Sequence, residues 1–279
     1  MQTQRLRLRH VRPSTGMPAF VGLRELRGLD ELAVQGVDTR CAIDLLGRVL
    51  QPDPSSGQSE AIALAHALSA ADRDALLAAL HRRCWGDRIV STLRCDVCQA
   101  QFDLSFTLSE LQLQLHAQGR QWQQQQSLLA NWQAPFPPSG EQELAAAGLA
   151  EQGRTADSWR ALMQTDDACA AQDEQALFQT LAEALEHSAP ILDVELDARC
   201  AECSHAQQAH FDVQGFVLQR LLNERALLLH EIHVIAAGYG WSFADILALP
   251  RSTRRSFAQM LSQSPRRRTA EQDAARFWS

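Results

Sequence analysis

The chain has 279 residues, 46% hydrophobic and 21% charged, enough to bury one large core or two smaller ones and too apolar for wholesale disorder. A formal net charge of −7 argues against a general nucleic-acid coat, and no run of about 18 apolar residues spells a membrane-spanning helix. All 26 basic residues are arginine, which excludes Schiff-base chemistry and the lysine of a phosphate-binding loop.

The opening MQTQRLRLRH lacks the apolar stretch of a secretory signal, so a cytoplasmic location and reduced cysteines are expected. Within the first 29 residues, six arginines stand against Glu25. Leu6 and Leu8 alternate with Arg5, Arg7 and Arg9 as in an edge strand, and Phe20, Val21 and Leu23 suit a second strand. Pro13, Gly16 and Pro18 mark a turn between them. Residues 1–29 therefore read as a basic arm.

Residues 30–87 read as helical. Asp38 or Thr39 can cap a helix that carries Ile43, Leu46 and Val49, and residues 51–59 read as a loop. Ser69 and Asp72 have capping-box spacing ahead of Leu76, Leu77 and Leu80, with Gly86 as the stop.

From residue 88 the texture changes. RIVSTLR is rich in β-branched residues and leads into Cys95, and QFDLSF follows Cys98. The pattern recurs at ILDVELDAR, Cys200 and Cys203, so residues 88–107 and 188–215 read as two Cys-x-x-Cys knuckles. Phe102-Asp103-Leu104 and Phe211-Asp212-Val213 look like matching segments. Four thiolates at Cys95, Cys98, Cys200 and Cys203 offer the tetrahedral sulfur set that suits structural Zn(II), although Cys98 and Cys200 stand 102 positions apart. A redox pair should open a helix, whereas strands flank both pairs here. Cys41, Cys84 and Cys169 read as small buried hydrophobes, and His205 and His210 as exposed loop residues.

Residues 108–187 form a Gln-rich, acidic, helix-favouring insertion, with thirteen acidic residues against three arginines over 130–200. Residues 216–262 read as a C-terminal helical module broken at Gly238-Tyr239-Gly240, and residues 263–279 as a basic tail. His230 and His233 are three apart, one short of zinc-protease spacing. No phosphate loop or nucleophile elbow is found, and no catalytic constellation emerges. Tyr239 and Trp241, with Arg251, Arg254 and Arg255 on the following helix, are the candidate partner-binding residues. The expected fold is mainly α with a small zinc-ribbon-like β element (α+β), its two knuckles brought together across a helical insertion.

LLLHEIHVIAAGYGWSFADILALPRSTRRSFAQML (227–261) and RPSTGMPAFVGLREL (12–26) resemble segments of the T4-family baseplate hub assembly chaperones of contractile-tailed phages and phage-derived injection systems. The resemblance implies a non-catalytic assembly factor or component that binds baseplate hub or spike proteins; separately, the lack of a long apolar run argues against a membrane partner, and the net charge weighs against nucleic acid. A zinc-ribbon nucleic-acid-binding regulator is the alternative, supported by the arginines at 251, 254, 255 and 266–268.

Overall fold

The computed structural model describes residues 3–11, 16–52, 57–126, 136–163 and 174–263. These are mainly helical, with small antiparallel sheets. The chain divides into two units, Met1–Arg24 with Gly36–Gln219, and Glu25–Gln35 with Arg220–Ser279. Helix α1 (Gly28–Ala33) thus belongs with the C-terminal helices rather than with an N-terminal arm.

In the first unit, strands β1 (Gln4–Arg7), β2 (Phe20–Leu23) and β3 (Leu50–Gln51) form one antiparallel sheet in that order. Leu8, Val21 and Leu23 are buried, so the expected basic arm is in fact packed. Helix α2 (Thr39–Val49) is capped by Asp38, whose carboxylate accepts from the Cys41 N–H at 2.8 Å. Helix α3 (Gln58–Ala67) begins inside the expected loop. Its apolar residues are spread around the helix rather than along a stripe, so periodicity does not reveal it.

Helix α4 (Ala70–Trp85) starts at the Ser69 cap, with the Ser69 hydroxyl accepting from the Asp72 N–H at 3.2 Å, and stops at Gly86. The Asp72 carboxylate does not complete a capping box. It accepts instead from the N–H groups of Arg9 and His10, at 2.8 and 2.9 Å. Two neighbours on the same turn are also buried. Arg73 reaches Glu143 at 2.8 Å and Gln214 at 3.1 Å, and Asp74 accepts from the Leu192 N–H at 2.8 Å. One helical turn thus fastens four distant segments.

Strands β4 (Arg88–Arg94) and β5 (Gln101–Thr107) form one hairpin, and β6 (Asp193–Arg199) and β7 (Ala206–Asp212) another. Between them lie α5 (Leu108–Gln126), α6 (Gly140–Glu151), α7 (Thr155–Met163) and α8 (Glu174–Ser188), and α9 (Val213–Asn223) follows β7. Helix–hairpin–helix therefore occurs twice, as α4-β4-β5-α5 and α8-β6-β7-α9.

In the second unit, α10 (Arg225–Tyr239), α11 (Phe243–Ala248) and α12 (Arg251–Gln263) pack with α1 around Leu228, Ile232, Ile235, Ile246 and Leu247. The Arg225 guanidinium donates to the carbonyls of Leu32 and Val34, closing the end of α1. Helix α10 runs through Gly238 and ends at Gly240, whose φ of 69° is left-handed. Gly238 is not a breaker here. A Cβ on it would lie 2.6 Å from a Leu261 methyl, so glycine allows α12 to approach α10.

Candidate metal centre

Each hairpin turns through its cysteine pair. The Cys95 N–H donates to the Ala100 carbonyl at 2.9 Å, and the Gln99 N–H donates to the Cys95 carbonyl at 3.0 Å. In the second hairpin, Cys200 with His205 and Ser204 with Cys200 make the same two bonds at the same lengths. Gln99 and Ser204 both adopt left-handed backbone, at φ 63° and 59°. That kink turns the chain back after the second cysteine and aims both sulfurs of a pair to one side.

Arg94 pairs with Gln101 and Arg199 with Ala206, so the hairpins match residue for residue when Cys95 is set on Cys200. This corrects the match proposed from sequence. Phe211 occupies the place of Phe106, not of Phe102, and Val213 that of Leu108. The equivalent phenylalanines Phe106 and Phe211 meet edge to face with centroids 4.9 Å apart, joining the two hairpins at matching positions.

The two pairs converge. Cys95 Sγ lies 3.6 Å from Cys203 Sγ, and Cys98 Sγ lies 3.7 Å from Cys200 Sγ. All four sulfurs fall within 4.8 Å of one another. These are not disulfide distances. A tetrahedral ion with metal–sulfur bonds of about 2.3 Å requires sulfurs about 3.8 Å apart, close to the 3.6 and 3.7 Å of these two cross-pairs. Cys95 and Cys200 are buried over Phe102 and Ala198, while Cys98 and Cys203 face solvent. His205 and His210 lie outside the set. The His210 ring sits between Asp193 and Glu195, 3.3 Å from each.

The thiols are electrostatically unequal. The N–H groups of Cys98 and Val97, with help from the Cys203 and Cys98 thiols, outweigh burial and lower Cys95 to about 6. For Cys98 the Ala100 N–H favours the thiolate. The surrounding thiols of Cys203, Cys95 and Cys200, with burial, outweigh it and push Cys98 up to about 12. One negative charge is readily held, and further ones repel it unless a cation sits among the sulfurs. Arg94 and Arg199, which bond the carbonyls of Gln99 and Ser204, add positive charge beside each knuckle. The arrangement can hold a metal ion.

One contact at the site was not foreseen. The Gln207 side chain accepts from the Asp96 N–H and donates to the Arg94 carbonyl, both at 3.1 Å, clamping the first knuckle from the second hairpin. Its equivalent in the first hairpin is Phe102, which packs under the sulfurs instead. A glutamine among several gave no sequence signal.

The candidate partner-binding residues divide. Tyr239 and Trp241 stack at 5.1 Å, and both meet Phe257 edge-on. They remain 43% and 38% exposed, beside Phe243 and Met260 at 55% and 51%. The structure corrects the assignment of Arg251 and Arg254, which are buried. Arg251 pairs with Glu31 and Glu224, and Arg254 pairs with Glu31 at 2.7 Å and Glu231 at 2.8 Å. Arg255 is half-buried and pairs with Glu224 at 2.9 Å and Glu231 at 3.3 Å. Three arginines thus meet three glutamates, and no surplus charge remains for an acidic partner. Glu231 belongs to this buried network. The same burial removes Arg251 and Arg254 from the support for a nucleic-acid-binding reading, and residues 266–268 lie outside the described residues. Cys41 and Cys84 are half-buried rather than buried, and Cys169 lies outside the described residues.

No family model, curated protein or solved structure matches the chain. Among the described residues, no helix is long and apolar enough to cross a membrane.

Proposed function

We propose that the chain is a non-catalytic assembly factor or component for the baseplate hub of a contractile tail or phage-derived injection system, acting by protein–protein binding. The observation that carries this reading is the aromatic surface Tyr239, Trp241 and Phe243, which lies in the segment resembling baseplate assembly chaperones. Tyrosine and tryptophan bury large area at small entropic cost and commonly anchor interfaces. Here Phe257 and the αL turn at Gly240 hold the stacked pair in place. The expected partner is a hub or spike protein.

The metal in this reading is Zn(II), held by Cys95, Cys98, Cys200 and Cys203 as a structural clip. A four-thiolate set with tetrahedral spacing favours zinc over hard cations, which prefer oxygen ligands.

The test uses the gene and the purified chain together. Deleting the gene should leave sheath and tube proteins made but baseplates incomplete. The chain should also bind purified hub or spike protein, and a Tyr239→Ala/Trp241→Ala variant should lose that binding while keeping its fold. Normal particles from the deletion strain would refute the assembly role. Full binding by the folded double variant would remove the aromatic surface from the interface.

A further inference from the structure

The first unit contains a cleft of about 580 Å³ whose lining is basic. Arg7, Arg9 and His10 reach it from the end of β1 and the residues after it, His116 and Arg120 from α5, and His187 from the end of α8. No carboxylate is among its described lining residues. Arg7, Arg9 and Arg120 form no ion pair among the described residues. The nearby acid, Asp72, is buried, and both its oxygens are occupied by the N–H groups of Arg9 and His10. In a chain of net charge −7, the described residues therefore gather six basic side chains around one concavity, with Asp72 as a nearby acid outside its lining.

The cleft is built rather than incidental. Gly119 on α5 touches the end of α8, where a Cβ would lie 2.4 Å from the His187 carbonyl oxygen, so any larger residue would force the two helices apart. The His187 ring stacks on Trp122 with centroids 4.9 Å apart, which fixes its position. Burial lowers the pKa of His10, with Asp72 opposing and Arg9 adding to the effect. Burial, then Arg9, Arg120 and His10, lowers that of His116 against Asp72. Both imidazoles are thereby made weaker cations, and the standing positive charge of the cleft rests on Arg7, Arg9 and Arg120.

We propose that the cleft binds a small, multiply charged phosphate anion, an oligophosphate either free or carried by a nucleotide, held chiefly by Arg9 and Arg120. Guanidinium forks suit phosphate oxygens, and several guanidiniums converging on one point suit a ligand of high charge density. The volume lies in the range of small-molecule sites, about 300–1,000 Å³. A single-stranded nucleic acid would need an extended track with several exposed aromatic platforms. Here no Phe, Tyr or Trp is among the described lining residues, and Trp122 is stacked on His187.

The test is isothermal titration of the full chain with sodium tripolyphosphate at a constant ionic strength near physiological. Saturable one-site binding with a Kd below about 1 mM is expected. Arg9→Gln and Arg120→Gln should each weaken it by roughly tenfold or more, the loss of one charged hydrogen-bonding partner. Arg88→Gln, on β4 and away from the cleft, should leave it unchanged, and all three variants should melt like the parent. Equal affinity for ATP and tripolyphosphate would identify the phosphate chain as the group recognised, and tighter ATP binding would add the nucleoside. Absence of saturable binding up to about 1 mM, or equal weakening by Arg88→Gln, would overturn the proposal. Tighter binding of a 20-nucleotide single strand, with the steep salt dependence of phosphate-backbone contacts, would overturn it in favour of nucleic acid.

Discussion

Arg254→Met probes the buried charge network of the second unit. The Arg254 guanidinium is 1% exposed and donates to Glu31 at 2.7 Å and Glu231 at 2.8 Å. Methionine keeps much of the apolar stem but leaves three carboxylates facing two arginines, with Glu31 and Glu231 both buried. Removing one partner of a buried ion pair costs about 3–5 kcal/mol, a large share of the roughly 5–15 kcal/mol that holds a typical domain together. Hydrogen exchange across a urea series, read by mass spectrometry on peptides from α10 and α12, should show that loss in this unit. Because the residues touch, Arg254→Met/Glu31→Gln should cost less than the two single changes added, with a coupling of about 1 kcal/mol or more. A loss under about 1 kcal/mol with additive singles would mean that Arg254 behaves as a surface residue, and the burial argument would fail.

Three further outcomes are expected. Protein purified without chelator should carry one zinc per chain by elemental analysis, and Cys200→Ser should abolish it and raise hydrogen exchange in both hairpins; metal-free parent protein would contradict the clip. Asp74 is held up at about 7, chiefly by burial, against the Leu192 N–H and Arg73 and with Asp212 and Glu143 adding to the shift. The folded state therefore holds the proton that the unfolded chain releases near pH 4, so this group's contribution makes stability fall as pH rises from about 4 to 7. By linkage the loss is at most about 4 kcal/mol. Asp74→Asn should flatten that part of the profile in urea titrations, and an unchanged profile would reject the assignment. Gly238→Ala places a methyl against Leu261 and should lower the stability of the second unit by about 1–3 kcal/mol; a neutral result would show that α12 shifts freely.

The parts legible in the sequence are those set by neighbours. Alternation into each cysteine pair shows the hairpins, Asp38 and Ser69 show helix starts, and the four-thiolate set follows from spacing and residue type. What escaped depends on pairs remote along the chain. Arg254 and Glu31 are 223 positions apart, and nothing near either residue marks the partnership. Arginines on a short helix are ordinarily solvent-facing, so buried ones were read as a surface. The place of α1 in the second unit was hidden for the same reason. It has six residues, too few to show a period, and its partners begin beyond residue 220. Phe-Asp followed by an aliphatic is a weak signal for the register of the repeat, whereas the cysteines align the hairpins without ambiguity.

A long insertion between the two cysteine pairs is compatible with one shared site because loop-closure entropy grows slowly with length, by about 0.6 kcal/mol per doubling. The ends of the insertion are what must be held, and they are held several times over. Helix α5 leaves the first hairpin and meets α8 at Gly119 and His187, just before α8 enters the second. The Asp74 carboxylate on α4 bonds the Leu192 N–H at the entrance to β6, and Gln207 clamps the knuckle of the first hairpin. The sulfur cluster is therefore one tie among several across the same junction. A metal there need not create the fold, as it does in isolated zinc fingers. Once bound it would close a loop of about a hundred residues, a constraint worth up to roughly 5 kcal/mol in the chain-entropy account of cross-links, and the other ties already contribute part of that restraint.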